Sequence, residues 1–302
     1  MIGKTSRGAA LGCALVAAVG CSEGESDLFP VGSGESSTVA QEHFLRRLHL
    51  DLTAAAPSDE EMASGKKRLA EQGNVPATRG DIAAELMESP QFAELFVSEL
   101  ENRVFAGQSL DDAYGFVCAT IRAVETQCNE GCDPADPCAC DCPQLMPLVA
   151  ERETLRGAPD ALVTGDTGTM EVERLYGSSM IVQFFGGSVE GIADTLWQNF
   201  LGRPAEADEV RNARALIFGS IVEGTPAGLL FHRHGATYED LIDIIFTSEP
   251  YQDAVVGGVF QRFLGRPARP AELIVFTPTA ASAGDVRPVA QAIVSSGEYF
   301  GD

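Results

Sequence analysis

The chain has 302 residues, 45% of them hydrophobic and 22% charged, with 44 Asp and Glu against 21 Lys and Arg for a formal charge of −23. A surface of that sign repels nucleic acid and anionic lipid, which excludes both as partners recognised through charge. A chain of this length and apolar content can bury a core, as one elongated domain or two small ones.

Residues 1–20 are read as a signal peptide. Lys4 and Arg7 form a short basic start, and Ala9 to Gly20 is an uncharged small-apolar run, too short for a permanent bilayer span. The end of that run, Ala18-Val19-Gly20-Cys21, resembles the cleavage box of bacterial lipoproteins, in which the cysteine is diacylated and becomes the first residue of the mature chain. Cys13, after Ala10-Leu11-Gly12, fits less well because apolar residues follow it, and a plain cleaved signal without lipid is the competing reading. In that lipoprotein class an aspartate after the cysteine holds the protein at the inner membrane. Ser22 stands there instead, so the resemblance implies the outer membrane, on its periplasmic face or at the cell surface. Loss of residues 1–20 removes two cations and no acid, leaving 19 Lys and Arg against 44 Asp and Glu, a charge of −25. Residues 21–40 are rich in Gly, Ser and acids and read as a lipidated tether reaching about 25 Å.

Residues 41–117 are expected to form a first helical unit. After it, 118–143 holds six cysteines, Cys118, Cys128, Cys132, Cys138, Cys140 and Cys142. In an exported chain, disulfides are the expected state of such a cluster, and six cysteines allow three bridges in any of about 15 connectivities. Gly131, Pro134, Pro137 and Pro143 forbid a continuous helix, so the segment is a compact loop that needs covalent bracing. Cys118 lies on the apolar helical run Phe116–Ile121, so one bridge is expected to staple the loop to a helix. The alternatives are a metal site, since Asp133, Asp136 and Asp141 interleave with the thiols, and redox chemistry. Against them, only Cys128-x3-Cys132 has zinc-like spacing, no histidine lies in the cluster, and CxxC and CxxCH are absent.

Residues 144–187 are expected to be an irregular connector, with a loop or short hairpin near Gly165–Gly168. Residues 188–302 read as two further helical units. FLGRPA occurs at 200–205 and again at 263–268, and each copy is followed by a helical run that ends in a second shared element, LIDIIFTSEPY at 241–251 and VAQAIVSSGEY at 289–299. IAAELMESPQF at 82–92 matches that closing element, aligning Ser89, Ser248 and Ser296, each three residues before Phe92, Tyr251 or Tyr299. Apolar spacing of i, i+4 and i+5 puts one stripe on a helix, and the serine sits where it can stop that helix or cap the next. In FLGRP the glycine permits a left-handed cap and the proline forbids continuation. Arg203 and Arg266 are expected to bond helix carbonyls or pair with an acid of the same element, with anion recognition as the alternative.

LRRLHLDLTAAAPSDEEM (45–62) resembles the RRLxLDLTGLPPTPEE opening of an uncharacterised domain of exported bacterial proteins, often found beside cytochrome c modules. Ala54-Ala55-Ala56-Pro57 stands here in place of its GLPP. The FLGRPAxxxE and SxxY elements resemble a second uncharacterised family, of extracellular helical repeats with an LLGRxPxxxE signature. Neither resemblance brings an activity, so no catalytic residue is assigned and no cofactor is implied.

Candidates for chemistry are few. His43 and His49 are six residues apart and point in different directions on one helix. His232-Arg233-His234 can hold a metal only if an acid such as Glu239 or Asp240 joins it. Trp197 occupies an apolar helical position and reads as core. No GxSxG, HExxH, Walker or glycine-rich dinucleotide motif occurs. The expectation is an all-α exported lipoprotein of helical repeat-like units with a disulfide-rich loop inserted after the first. It serves as a non-catalytic interaction or scaffold module for another envelope or surface protein. The competing readings are an accessory subunit of an extracytoplasmic redox or degradative complex, and a metal-dependent enzyme using the His232–His234 loop or the Cys/Asp cluster.

Overall fold

The computed structural model describes residues 38–301 except 126–131, 134, 141 and 223–224, so Cys21 and Cys128 lie outside the described residues. The architecture is all-α, with two small antiparallel hairpins. The described residues divide into two compact units, one of 38–89 with 256–301 and one within 90–255. The sequence reading placed 41–117 in one unit and 188–302 in two others. Instead, the first and last stretches of the chain share a unit.

In the first unit, α1 (Thr38–Thr53), α2 (Asp59–Gln72) and α3 (Pro76–Met87) precede the boundary, and the end of α13 (Glu249–Leu264), α14 (Pro270–Ala283), α15 (Arg287–Val294) and α16 (Gly297–Phe300) follow it. α1 buries Phe44, Leu45, Leu48 and Leu52, a stripe at helical spacing. Its cover includes the C-terminal turn, where Phe44 meets the rings of Tyr299 and Phe300 at centroid distances of 6.0 and 5.4 Å. α15 packs on α3, where Gln291 Nε2 donates to Gly80 O at 3.0 Å and Arg79 Nε donates to Ser295 O at 2.9 Å. Between α1 and α2, Ala54 takes a left-handed φ of 54° at the first position of the Ala-Ala-Ala-Pro turn. Ser58 then caps α2 in a capping box with Glu61.

The second unit contains α4 (Pro90–Val104), α5 (Leu110–Val124), α6 (Met146–Arg156), α7 (Ala158–Thr164), α8 (Thr169–Ser178), α9 (Met180–Gly186), α10 (Val189–Leu196), a π-helical turn (Trp197–Leu201), α11 (Ala207–Ile217), strands β1 to β4 between 221 and 235, and α12 (Tyr238–Phe246). β1 (Ile221–Val222) pairs with β2 (Thr225–Pro226), and β3 (Gly228–Leu230) with β4 (Arg233–Gly235). The stretch expected as an irregular connector, 144–187, is thus four helices, α6 to α9. Its prolines and glycines are punctuation rather than disorder. Pro147 and Pro159 sit in the first turns of α6 and α7, and Gly165 and Gly187 are left-handed C-caps. No hairpin forms at Gly165–Gly168, which is the turn between α7 and α8.

The loop after α5 is bridged by disulfides Cys118–Cys138 and Cys132–Cys140, and Cys142 is also oxidised, with a partner outside the described residues. The first joins α5 to the loop across 20 residues, the second closes 8. Loop-closure entropy puts their contributions at about 3 and about 2.5 kcal/mol.

Candidate functional site

The two FLGRPA segments have the same local structure. Gly202 and Gly265 are left-handed caps with φ of 67° and 66°. Arg203 then forms a forked pair with Glu209 at 2.6 and 2.7 Å, and Arg266 forms the equivalent pair with Glu272 at 2.7 and 2.8 Å. Each arginine also donates to the carbonyl of the following proline, and each glutamate accepts the backbone N–H three residues before it, capping the next helix. Arg266 additionally grips Glu298 at 2.5 and 2.8 Å. Glu272 is fully buried. Burial alone would raise its carboxyl, but Arg266 and the Arg269 N–H outweigh that and hold it below the usual carboxylate range. Arg266 holds Glu298 low in the same way. These arginines are engaged inside the fold and present no free cation to an anionic ligand.

The charged residues of the RRLxLDL segment are equally engaged. Arg47 donates to the carbonyls of Tyr299 (3.1 Å) and Phe263 and lies 4.1 Å over the Tyr299 ring. Tyr299 Oη donates to Asp51 at 2.8 Å, and Arg262 donates to the Asp51 carbonyl. The second unit has a parallel set, in which Glu173 accepts Tyr251 Oη at 2.8 Å and Arg103 at 2.7 Å. Ser248 and Ser296 each donate to the carbonyl three residues back, and each accepts the N–H of the tyrosine three residues on. Ser89 donates to Leu86 O in the same manner.

In the cysteine loop the described acids, Asp133 and Asp136, serve the backbone, and Asp141 lies outside the described residues. Asp133 accepts Ala135 N, while Asp136 accepts Cys138 N and pairs with both terminal nitrogens of Arg152. Four of the described cysteines are joined in pairs and the fifth, Cys142, is oxidised, so none of the five is a free thiolate. His232 and His234 lie exposed on the β3–β4 hairpin, His232 with a left-handed φ of 66°. Asp240, one of the two acids that could join them, instead accepts Ala236 N and Thr237 N and caps α12. His43 is exposed, while His49 is buried, its imidazole pushed down by burial against a weaker pull from Glu61. No group of three or more His, Cys, Asp or Glu able to hold a metal occurs among the described residues.

Two half-buried carboxyls in the second unit, Glu101 and Glu151, titrate high because partial burial penalises their charge. Glu101 lines a cleft of about 220 Å³, but its oxygens already accept Tyr176 Oη at 3.0 Å and Leu110 N at 3.3 Å. Glu151 accepts Met180 N at 2.8 Å and faces the Tyr114 hydroxyl. Both are fold ties rather than acids aimed at a ligand.

What remains is a larger open cleft of about 320 Å³ in the second unit. The end of α4 and its following turn supply Arg103, Phe105, Ala106 and Gln108; α9 supplies Val182 and Phe185; α10 and the π-helical turn supply Asp194, Thr195, Gln198 and Asn199. Three features single it out. Gln198 and Asn199 stand on a π-helical turn, a rare irregularity that recurs at functional sites. Ala106 has a left-handed φ of 54°, a backbone state costly for any residue with a Cβ. At its rim, Phe185 belongs to a cluster with Phe184 and Phe116, ring centroids 5.9 to 6.3 Å apart, all three exposed at 40%, 38% and 56%. Clustered exposed aromatics are a feature that interaction surfaces share.

The π turn forms where Trp197 is fully buried and Phe200 packs on Phe246 at 4.8 Å, anchoring it on the core side while Gln198 faces out. Trp197, read as core from the sequence, is core. Gln108, Gln198 and Asn199 have side-chain amides with no hydrogen bond to another described residue, whereas Thr195 donates to Gly191 O and Arg103 is held by Glu173. The lining holds one carboxylate, Asp194, and no histidine, cysteine or serine. This arrangement can bind through hydrogen bonds and an aromatic face. Sequence reasoning missed it, because α4, α9 and α10 meet only in the fold. The one local signal was Phe184-Phe185 between Gln183 and Gly186, an aromatic pair in a segment read as irregular. Comparison with known proteins found no family model that matches this chain and no significant match among curated proteins or solved structures.

Proposed function

We propose that this chain is an exported, lipid-anchored, non-catalytic recognition protein of the outer envelope, binding its target at the cleft between α4, α9 and the π turn. The observation that carries the reading is a contrast. The charged and reactive residues of the sequence motifs are engaged within the fold, whereas the cleft keeps three unpaired amides beside exposed aromatics. The disulfides are those of a protein that matures outside the cytoplasm. No described helix is long and apolar enough to cross a membrane, and Cys21 of the lipoprotein-like box supplies the anchor in this reading. The accessory-subunit reading rests on the resemblance of residues 45–62, whose Arg47 and Asp51 serve the packing of Tyr299.

Two variants test this. Cys21→Ala is expected to move the chain from the membrane fraction to the soluble one and to abolish diacyl mass on the N-terminal peptide. Capture from solubilised membranes is expected to retain the same target with wild-type protein and to lose it with Phe185→Ala. A chain that stays membrane-bound after Cys21→Ala, or captures equally well after Phe185→Ala, contradicts the corresponding half of the proposal.

A further inference from the structure

We infer that the cleft binds a neutral carbohydrate, with a sugar ring laid on Phe185 and its hydroxyls held by Gln108, Gln198, Asn199 and Asp194. This deepens the recognition reading above and rests on it. A pyranose has two chemistries in one rigid ring. Its axial C–H groups make an apolar face that packs on an aromatic ring, and its edge is a ring of hydroxyls, each a donor and an acceptor. The cleft offers both on adjacent walls. Phe185 lines it as a 40% exposed ring, braced from outside the cleft by Phe116 stacked on it at 19° and 6.0 Å. The rest of the lining carries Gln108 on the turn after α4 and Gln198, Asn199 and Asp194 on α10 and the π turn, amides that pair a donor with an acceptor and a carboxylate that accepts.

Charge selects against other ligands. Arg103, the cation in the lining, is paired with Glu173, and Asp194 leaves the cleft acidic within a chain of charge −23, so an anion is disfavoured. A single carboxylate does not hold a metal ion. A hydrocarbon ligand would bury amides without partners, at a cost of roughly 1–3 kcal/mol each. A peptide added as a strand needs a sheet edge, and the described lining is helix and turn. The volume, about 320 Å³, suits one or two sugar rings rather than a large cofactor.

The test is calorimetric titration of the full chain, solubilised in a polyoxyethylene detergent that carries no sugar, with cello-, xylo-, manno-, malto-, laminari- and chito-oligosaccharides and with oligogalacturonate as the acidic control. The expected result is saturable binding of at least one neutral oligosaccharide, at a Kd between about 10 μM and about 1 mM. Phe185→Ala and Asn199→Ala should each weaken it about tenfold, while Phe218→Ala, an exposed aromatic outside the cleft, leaves it unchanged. If Phe185→Ala lowers the melting midpoint, Phe185→Leu replaces it, keeping the packing and losing the ring. No saturation by about 10 mM for any neutral sugar, equal binding after loss of the Phe185 ring, or tightest binding of oligogalacturonate overturns the inference. A membrane protein captured through Phe185 while every sugar fails overturns the carbohydrate alone and keeps the recognition reading. Sugar binding by a chain that needs no Cys21 for membrane attachment keeps the carbohydrate and overturns the anchor.

Discussion

Ala54 is a residue in a conformation that its side chain disfavours. Its φ of 54° ends α1 by a bond from Ala54 N to Leu50 O, a position where glycine pays no Cβ penalty. Ala54→Gly is therefore expected to stabilise the chain by about 0.5–1 kcal/mol, read as a higher denaturant midpoint at constant m. An unchanged or lower midpoint would show that the turn carries no strain. The two FLGRP locks give a second comparison at this scale. Glu272 is fully buried and its pair with Arg266 is mostly covered, whereas Arg203 opposite Glu209 is more than a third exposed. Glu272→Gln should cost about 3 kcal/mol and Glu209→Gln about 1 kcal/mol, measured by equilibrium unfolding. Equal losses would mean that burial does not set the strength of these locks.

At the scale of elements, the lock of α13, α14 and α16 makes the first unit sensitive to acid. The folded carboxyls of Glu272 and Glu298 titrate below the ordinary glutamate value of 4.5, so folding favours their deprotonated forms. Their contribution is complete above that value and is lost as pH falls through the folded values. Glu101 and Glu151 act in the opposite sense: burial raises both, so their contribution is complete below 4.5 and is lost as pH rises through the folded values. Melting followed from about pH 6 to about pH 3 should show a fall in the wild type that is shallower in Glu272→Gln, and a parallel fall in both would remove Glu272 from the cause.

Legibility also divides at this scale. The FLGRP turns and the serine caps were readable because glycine, proline and serine act within one helical turn. α6 to α9 were not, because Pro147, Pro159, Gly165 and Gly187 look like loop residues until their places at helix starts and ends are known. The π turn carries no sequence signal at all, since its stability comes from Trp197 and Phe200 packing into a core assembled from distant segments.

For the whole molecule, composition read as acidic, helical spacing as all-α, and the export signal made disulfides the expected state of the cysteines. The alliance of residues 38–89 with 256–301 escaped local reading, because Arg47 and Asp51 find Tyr299 across about 250 positions of chain. The same distance effect hid the cleft, whose lining runs from Arg103 to Asn199. The molecule therefore carries two kinds of residue: motif arginines that brace the fold, and unpaired amides and exposed phenylalanines at the cleft where we propose a target binds. Amide hydrogen exchange of the full chain, with and without a detergent extract of its own membranes, compares them directly. Added protection is expected at 103–108 and 182–199. Protection instead at the Arg203 and Arg266 turns or the 228–235 hairpin, with the cleft unchanged, would contradict it.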